Sequence, residues 1–197
     1  MRRVFTICIL TMIPIVINAQ GYIGFRDNRY MYGGYQFKFG MYVDVEHSIY
    51  SDHFGYQKGR LYVGYEQEWK YADLNAKIYG SSLWNGYYQD AGLLLQVLAK
   101  PFKNWTVDAT LNPHYDTGIG DYINYSVGTG IMVNKNITLL AHYTTIPEYR
   151  DSEKRVRVGI IFKVSNLEVK PEFSVPVEGK ARTMRVLFSM RYTFKDI

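Results

Sequence analysis

From residue 35 onward the chain alternates apolar and polar side chains in stretches of roughly ten residues, the period of two that a strand with unlike faces requires. The last stretch is the plainest. Met184, Val186, Phe188, Met190, Tyr192 and Phe194 fall on one face, and Arg185, Ser189, Arg191, Thr193 and Lys195 on the other. Similar apolar rows run Tyr35-Phe37-Phe39-Met41-Val43-Val45, Leu61-Val63-Tyr65, Ala91-Leu93-Leu95-Val97-Ala99, Trp105-Val107-Ala109-Leu111, Val156-Val158-Ile160-Phe162-Val164 and Leu167-Val169-Pro171-Phe173-Val175-Val177. Gln67 breaks the second row before Trp69. The pattern predicts strands at about 35–49, 59–70, 73–83, 88–100, 105–115, 122–134, 137–147, 154–165, 167–177 and 182–195. Pro171 and Pro176 each remove a ladder donor, so a bulge or local break is expected in the ninth strand.

A row of apolar side chains on every strand must meet either lipid or an apolar interior. The connections favour lipid. Tyr71-Ala72, Pro101 to Asn104, Lys135-Asn136 and Asn166 are short, and they alternate with longer links at Ser51 to Lys58, Trp84 to Tyr87, Asp116 to Asp121, Glu148 to Glu153 and Glu178 to Ala181. Short periplasmic turns opposite longer outer loops characterise membrane-spanning barrels and place both termini in the periplasm. After residue 19 nothing is long and apolar enough for a helical span, so a chain that crosses a bilayer here must do so as a closed barrel. The fold class expected is therefore all-β: a single antiparallel up-and-down transmembrane β-barrel of about ten strands, with eight or twelve as alternatives. A soluble periplasmic ligand-binding barrel, apolar inside, is the rival fold. Against it stand the strand number and the aromatics gathered at strand ends: Tyr35, Trp69, Trp105 and Phe194 at one end, Tyr50, Trp84, Tyr115 and Tyr149 at the other.

Residues 1–19 carry Arg2 and Arg3, an apolar run from Val4 to Ile17 and then Asn18-Ala19, the build of a cleaved secretory signal with Gln20 as the mature N-terminus. The single cysteine, Cys8, lies within this segment, and bulky Ile7 before it argues against lipidation. Residues 20–34 stand outside the strand count, as a periplasmic lead-in or a small plug, and residues 35–195 form the barrel. Net charge is +5, and +3 without the two signal arginines; this small excess, spread along the chain, does not indicate nucleic acid. Nineteen tyrosines and seventeen glycines suit a strand-rich chain with aromatic belts and tight turns.

The face opposite the apolar rows carries the chemistry. Lys38, Asp44, Glu46, Arg60, Glu66, Glu68, Lys77, Asp90 and Asp108 come from the early strands, and Arg155, Arg157, Lys163, Glu168, Lys170, Glu172, Arg185 and Arg191 from the late ones. Closure sets the last strand beside the first, so Arg185 and Arg191 are expected to face Asp44, Glu46, Glu66 and Glu68 across the lumen. Such a network is structural first, because buried charges persist when paired. A narrow conduit or a ligand pocket at the top are the functional alternatives.

A rim-active enzyme, protease or lipid-modifying, is the less favoured class, and no cofactor or metal is expected. Its candidate residues are His47, Asp52 and His53 about the first outer loop, and His114 with Asp116 at the third, where a histidine and a carboxylate can act as a general base and its orienting group. The four histidines, His142 included, lack metal-ligand spacing. Gly128-Thr129-Gly130 lacks the third glycine and following helix of a dinucleotide site.

The segment Val186-Leu187-Phe188-Ser189-Met190-Arg191-Tyr192-Thr193-Phe194 resembles the C-terminal β-signal of Gram-negative outer-membrane proteins, which places aromatic or apolar residues at alternate positions and ends in phenylalanine. Here Lys195-Asp196-Ile197 follow that phenylalanine. The resemblance, at the level of architecture, implies a location in the bacterial outer membrane, insertion by the barrel assembly machinery and contact with lipopolysaccharide. It implies no particular activity, because barrels of this kind serve as porins, enzymes, adhesins and structural proteins.

Overall fold

The structure is a computed structural model that describes residues 19–49, 58–83, 89–118, 120–148, 151–178 and 183–194. Within them the backbone forms twelve strands: β1 (Ala19–Arg26), β2 (Tyr30–Phe37), β3 (Met41–Ser48), β4 (Lys58–Glu68), β5 (Ala72–Leu83), β6 (Gln89–Phe102), β7 (Trp105–Asp116), β8 (Gly120–Asn134), β9 (Ile137–Glu148), β10 (Asp151–Val164), β11 (Leu167–Glu178) and β12 (Arg185–Thr193). Each strand pairs antiparallel with its sequence neighbour, and β1 pairs with β12, so the sheet closes with no free edge. At the seam Tyr22 opposes Thr193 and Phe25 opposes Met190. Two backbone bonds extend it, from Phe194 N–H to Gly21 O at 2.8 Å and from Asn28 N–H to Phe188 O at 3.1 Å.

The two strands beyond the expected ten come from the beginning of the chain. Residues 20–34, expected as a lead-in or plug, lie in β1, the β1–β2 turn and β2. Gly21, Gly24, Gly33 and Gly34 thin out the side chains there and hide the alternation. The turn itself uses Asp27 and Asn28 at φ 54° and 58°, the left-handed pair of a tight hairpin, which Asp and Asn tolerate better than most residues. The single strand expected over 35–49 is two, β2 and β3, separated at Gly40, whose φ is 95° and whose N–H bonds Phe37 O at 2.9 Å. A three-residue turn preserves parity, so Tyr35, Phe37, Met41 and Val43 read as one unbroken row although the chain reverses within it.

The wall is uneven in height. Strands β1 to β3 hold 8 residues each and β12 holds 9, whereas β4 to β11 hold 11 to 15. The irregularities expected from the prolines are present: the β10–β11 register slips by one between Lys154–Glu178 and Arg155–Pro176, and no residues pair between Gly159–Glu172 and Phe162–Val169, the interval containing Pro171.

Burial is inverted relative to a soluble barrel. Ile23, Val45, Leu61, Ile78, Val97, Val127, Val158, Phe173 and Val186 are all exposed on the outer face, while Glu46, Asp90, Asp108, Arg155 and Glu172 are buried within. Only a hydrocarbon surround stabilises such a distribution, because lipid takes the place of the missing apolar core. The aromatics predicted for the end that carries the termini are exposed there: Tyr35, Trp69, Trp105 and Phe194, joined by Phe39, Tyr71 and Phe102. At the opposite end Tyr115 is exposed; Tyr50, Trp84 and Tyr149 lie outside the described residues, as does the signal segment up to residue 18.

Candidate functional site

The lumen is built on tyrosine. Tyr22, Tyr42, Tyr62 and Tyr79 are buried, with Tyr32 and Tyr122 on the same inner rows. Tyr42 donates to Asn75 Oδ1 at 2.6 Å, and Tyr79 exchanges hydrogen bonds with Asn112. The rings lie flat against neighbouring strands because the facing positions are glycine. A Cβ at Gly64 would collide with the Tyr42 ring, and one at Gly92 with the Tyr79 hydroxyl. These rings narrow the bore while their phenol oxygens bond to neighbouring strands.

Charge is organised around the rings. Glu46, 4% exposed, takes Arg26 at 2.5 Å and Arg60 at 3.7 Å, and accepts from the Tyr62 hydroxyl at 3.3 Å. Arg60 continues to Asp90 at 2.8 Å, and Asp90 also accepts from Ser81. Four strands thus share one chain of charges, Arg26–Glu46–Arg60–Asp90, with Arg60 standing over the Tyr79 ring at 5.0 Å. Buried ions in so low a dielectric require this kind of mutual satisfaction.

Beside the chain lies a cavity of about 190 Å³, lined by Tyr22, Arg26, Tyr32, Gln36, Tyr42, Asp44, Glu46, Tyr62, Glu66, Asn75, Lys77 and Arg191. Arg191 therefore does share a space with Asp44, Glu46 and Glu66. Its guanidinium lies 4.0 Å from the Tyr22 ring centroid, a cation–π contact, and makes no ion pair among the described residues.

The other late-strand charges are satisfied nearer home. Arg155 is fully buried and donates to Ser174 Oγ at 2.7 Å and to the carbonyls of Ser174 and Thr183, each at 3.0 Å. Glu172 pairs with Lys170 at 3.0 Å and Glu168 with Lys163 at 3.2 Å. Arg157 reaches Asp27 in the β1–β2 turn at 3.6 Å. Glu68 is exposed at the end of β4, away from the cavity. Arg185 starts β12 on the inner row and engages other groups.

The described rim candidates lie on different faces of the wall. His47 shares the outward row of Met41, Val43 and Val45, whereas His114 and Asp116 lie on the inner row of β7. The His114 ring abuts Tyr122 with centroids 3.5 Å apart, and Asp116 accepts from Gly118 N–H at 2.7 Å. Asp52 and His53 lie outside the described residues. His142 faces inward, 3.6 Å from Asp108. Among the described residues no group of His, Cys, Asp and Glu is arranged to hold a metal ion.

Two contributors are absent from the expectations drawn from the sequence: Arg26, which lies in the segment outside the strand count, and the tyrosines of the inner rows. Parity alone places Tyr42 and Tyr62 on the row of Asp44 and Glu66, so that signal was present.

A closed barrel that is apolar outside and polar within, with charged side chains about a luminal cavity, has the fold of an outer-membrane β-barrel. Among solved structures it is similar to the KdgM porin in complex with disordered oligogalacturonate, with a TM-score of 0.66 at 11% identity over 90% of this chain and 99% of that one. It is similar also to the NanC porin in a rhombohedral crystal form, at 0.58 and 9% identity over 90% and 99%. At such identities the likeness is one of fold. No family model and no curated protein sequence matches the chain.

Proposed function

We propose that this protein is a narrow outer-membrane channel for small polar solutes, with both termini in the periplasm, lipopolysaccharide against its outer face and the barrel assembly machinery as its route of insertion. The observation that carries the proposal is the hydrophilic luminal cavity of about 190 Å³ inside a twelve-strand wall, with charged side chains left over from pairing. Twelve strands enclose a wider bore than the eight whose interior side chains nearly fill. The fold shared with KdgM and NanC, both called porins, supports the same class. The Arg26–Glu46–Arg60–Asp90 chain favours a second reading, a barrel braced shut as a structural or surface-interaction protein. Planar-bilayer recording of the refolded protein separates the two: small, resolved current steps are expected, and a silent bilayer containing correctly folded protein would sink the channel.

A further inference from the structure

Four charged side chains on the luminal cavity are left out of the ion-pair chain. Asp44 and Glu66 project from β3 and β4; Lys77 and Arg191 flank them from β5 and β12. Among the described residues none of the four has an oppositely charged partner within 4.0 Å. Among the described residues the Glu66 carboxylate receives only the neutral Gln36 amide, at 3.0 Å. Asp44 Oδ1 and Arg191 Nε are buried with no hydrogen-bond partner among the described residues. The two cations rest on rings, Lys77 4.5 Å from the Tyr62 centroid and Arg191 4.0 Å from that of Tyr22.

Charges partly withdrawn from water and left without an ionic partner are costly, and a solute that pairs them recovers part of that cost. A simple anion drawn to Arg191 and Lys77 must lie against Asp44 and Glu66, and a simple cation meets the reverse. A neutral molecule carrying both charges satisfies both pairs. The volume admits about six waters at ~30 Å³ each, hence a solute of about as many non-hydrogen atoms. We infer that the cavity is a binding station for a small zwitterion, its ammonium toward Asp44 and Glu66 and its carboxylate toward Arg191 or Lys77. The inference rests on the lumen being open to solutes, as proposed above.

The test compares uptake of labelled β-alanine, lactate and glycerol, a zwitterion, an anion and a neutral solute of matched size, into proteoliposomes. β-Alanine is expected to enter roughly threefold faster than either, since a focused charge pattern raises local solute concentration. Asp44→Asn and Arg191→Gln should each abolish that margin, and Arg191→Lys should keep it, with a heat-modifiable gel shift establishing that every variant is folded. Equal rates for the three solutes, or lactate fastest, overturn the zwitterion site and leave the channel standing. If no solute enters, the channel fails, and calorimetric titration of the detergent-folded protein decides the site. Heat with β-alanine that disappears in Asp44→Asn supports it, and none overturns it.

Discussion

Glu46 is the residue on which the luminal charge chain turns. It is buried, and it satisfies Arg26, Arg60 and the Tyr62 hydroxyl at once. Glu46→Gln keeps the shape and removes the charge, taking the carboxylate from Arg26 and leaving Arg60 with Asp90. The expected cost is about 1.5–3 kcal/mol, the range for hydrogen bonds to charged groups, read as a lower urea midpoint for the protein folded in micelles. An unchanged midpoint would mean the pairing does no more than replace hydration. Arg155 is a stricter case, because it is fully enclosed and bonded to Ser174 and Thr183. Arg155→Ala should lose about 3 kcal/mol by the same measurement, since it strands acceptors on β11 and at the approach to β12. At this scale the sequence showed which side chains share a face. It did not show that Glu46 pairs with Arg26 and Arg60 while Arg191 rests on Tyr22, because partners within reach depend on rotamers and on which rows come level.

Among the elements, β3 and β4 show how sheet and bore are made together. Tyr42 lies across Gly64 and bonds Asn75 two strands away, so one ring ties β3, β4 and β5. Gly64→Ala should displace that ring at a cost of about 1–3 kcal/mol, the usual penalty of overpacking. In the Tyr42→Ala background the same substitution should be nearly neutral, a coupling that a double-mutant cycle on urea unfolding detects. Additive effects would show that the ring and the glycine do not meet. Strands rich in long side chains, such as the ninth and tenth expected, were legible because parity is a local property. β1 and β2 were not, because four glycines leave too few side chains to register a period, and because the turn at Gly40 preserves the parity of its flanks.

For the molecule as a whole, the controlling fact is that lipid takes the place of a core. Val127, half-exposed near the centre of β8, belongs to that outer surface. Val127→Arg should destabilise the folded barrel by about 2–4 kcal/mol in bilayers, the cost of a midplane arginine on a barrel exterior. Folding titrations in vesicles check this, and an unaffected barrel would contradict a lipid-facing Val127. The sequence by itself determined the two faces of the wall, since alternation sorts side chains whatever the neighbouring strand. The tertiary structure alone decided that twelve strands close the wall and that Asp44, Glu66, Lys77 and Arg191 meet around one cavity. Closure of β1 on β12 and the stagger of the strands set which rows come level, and no local pattern encodes either.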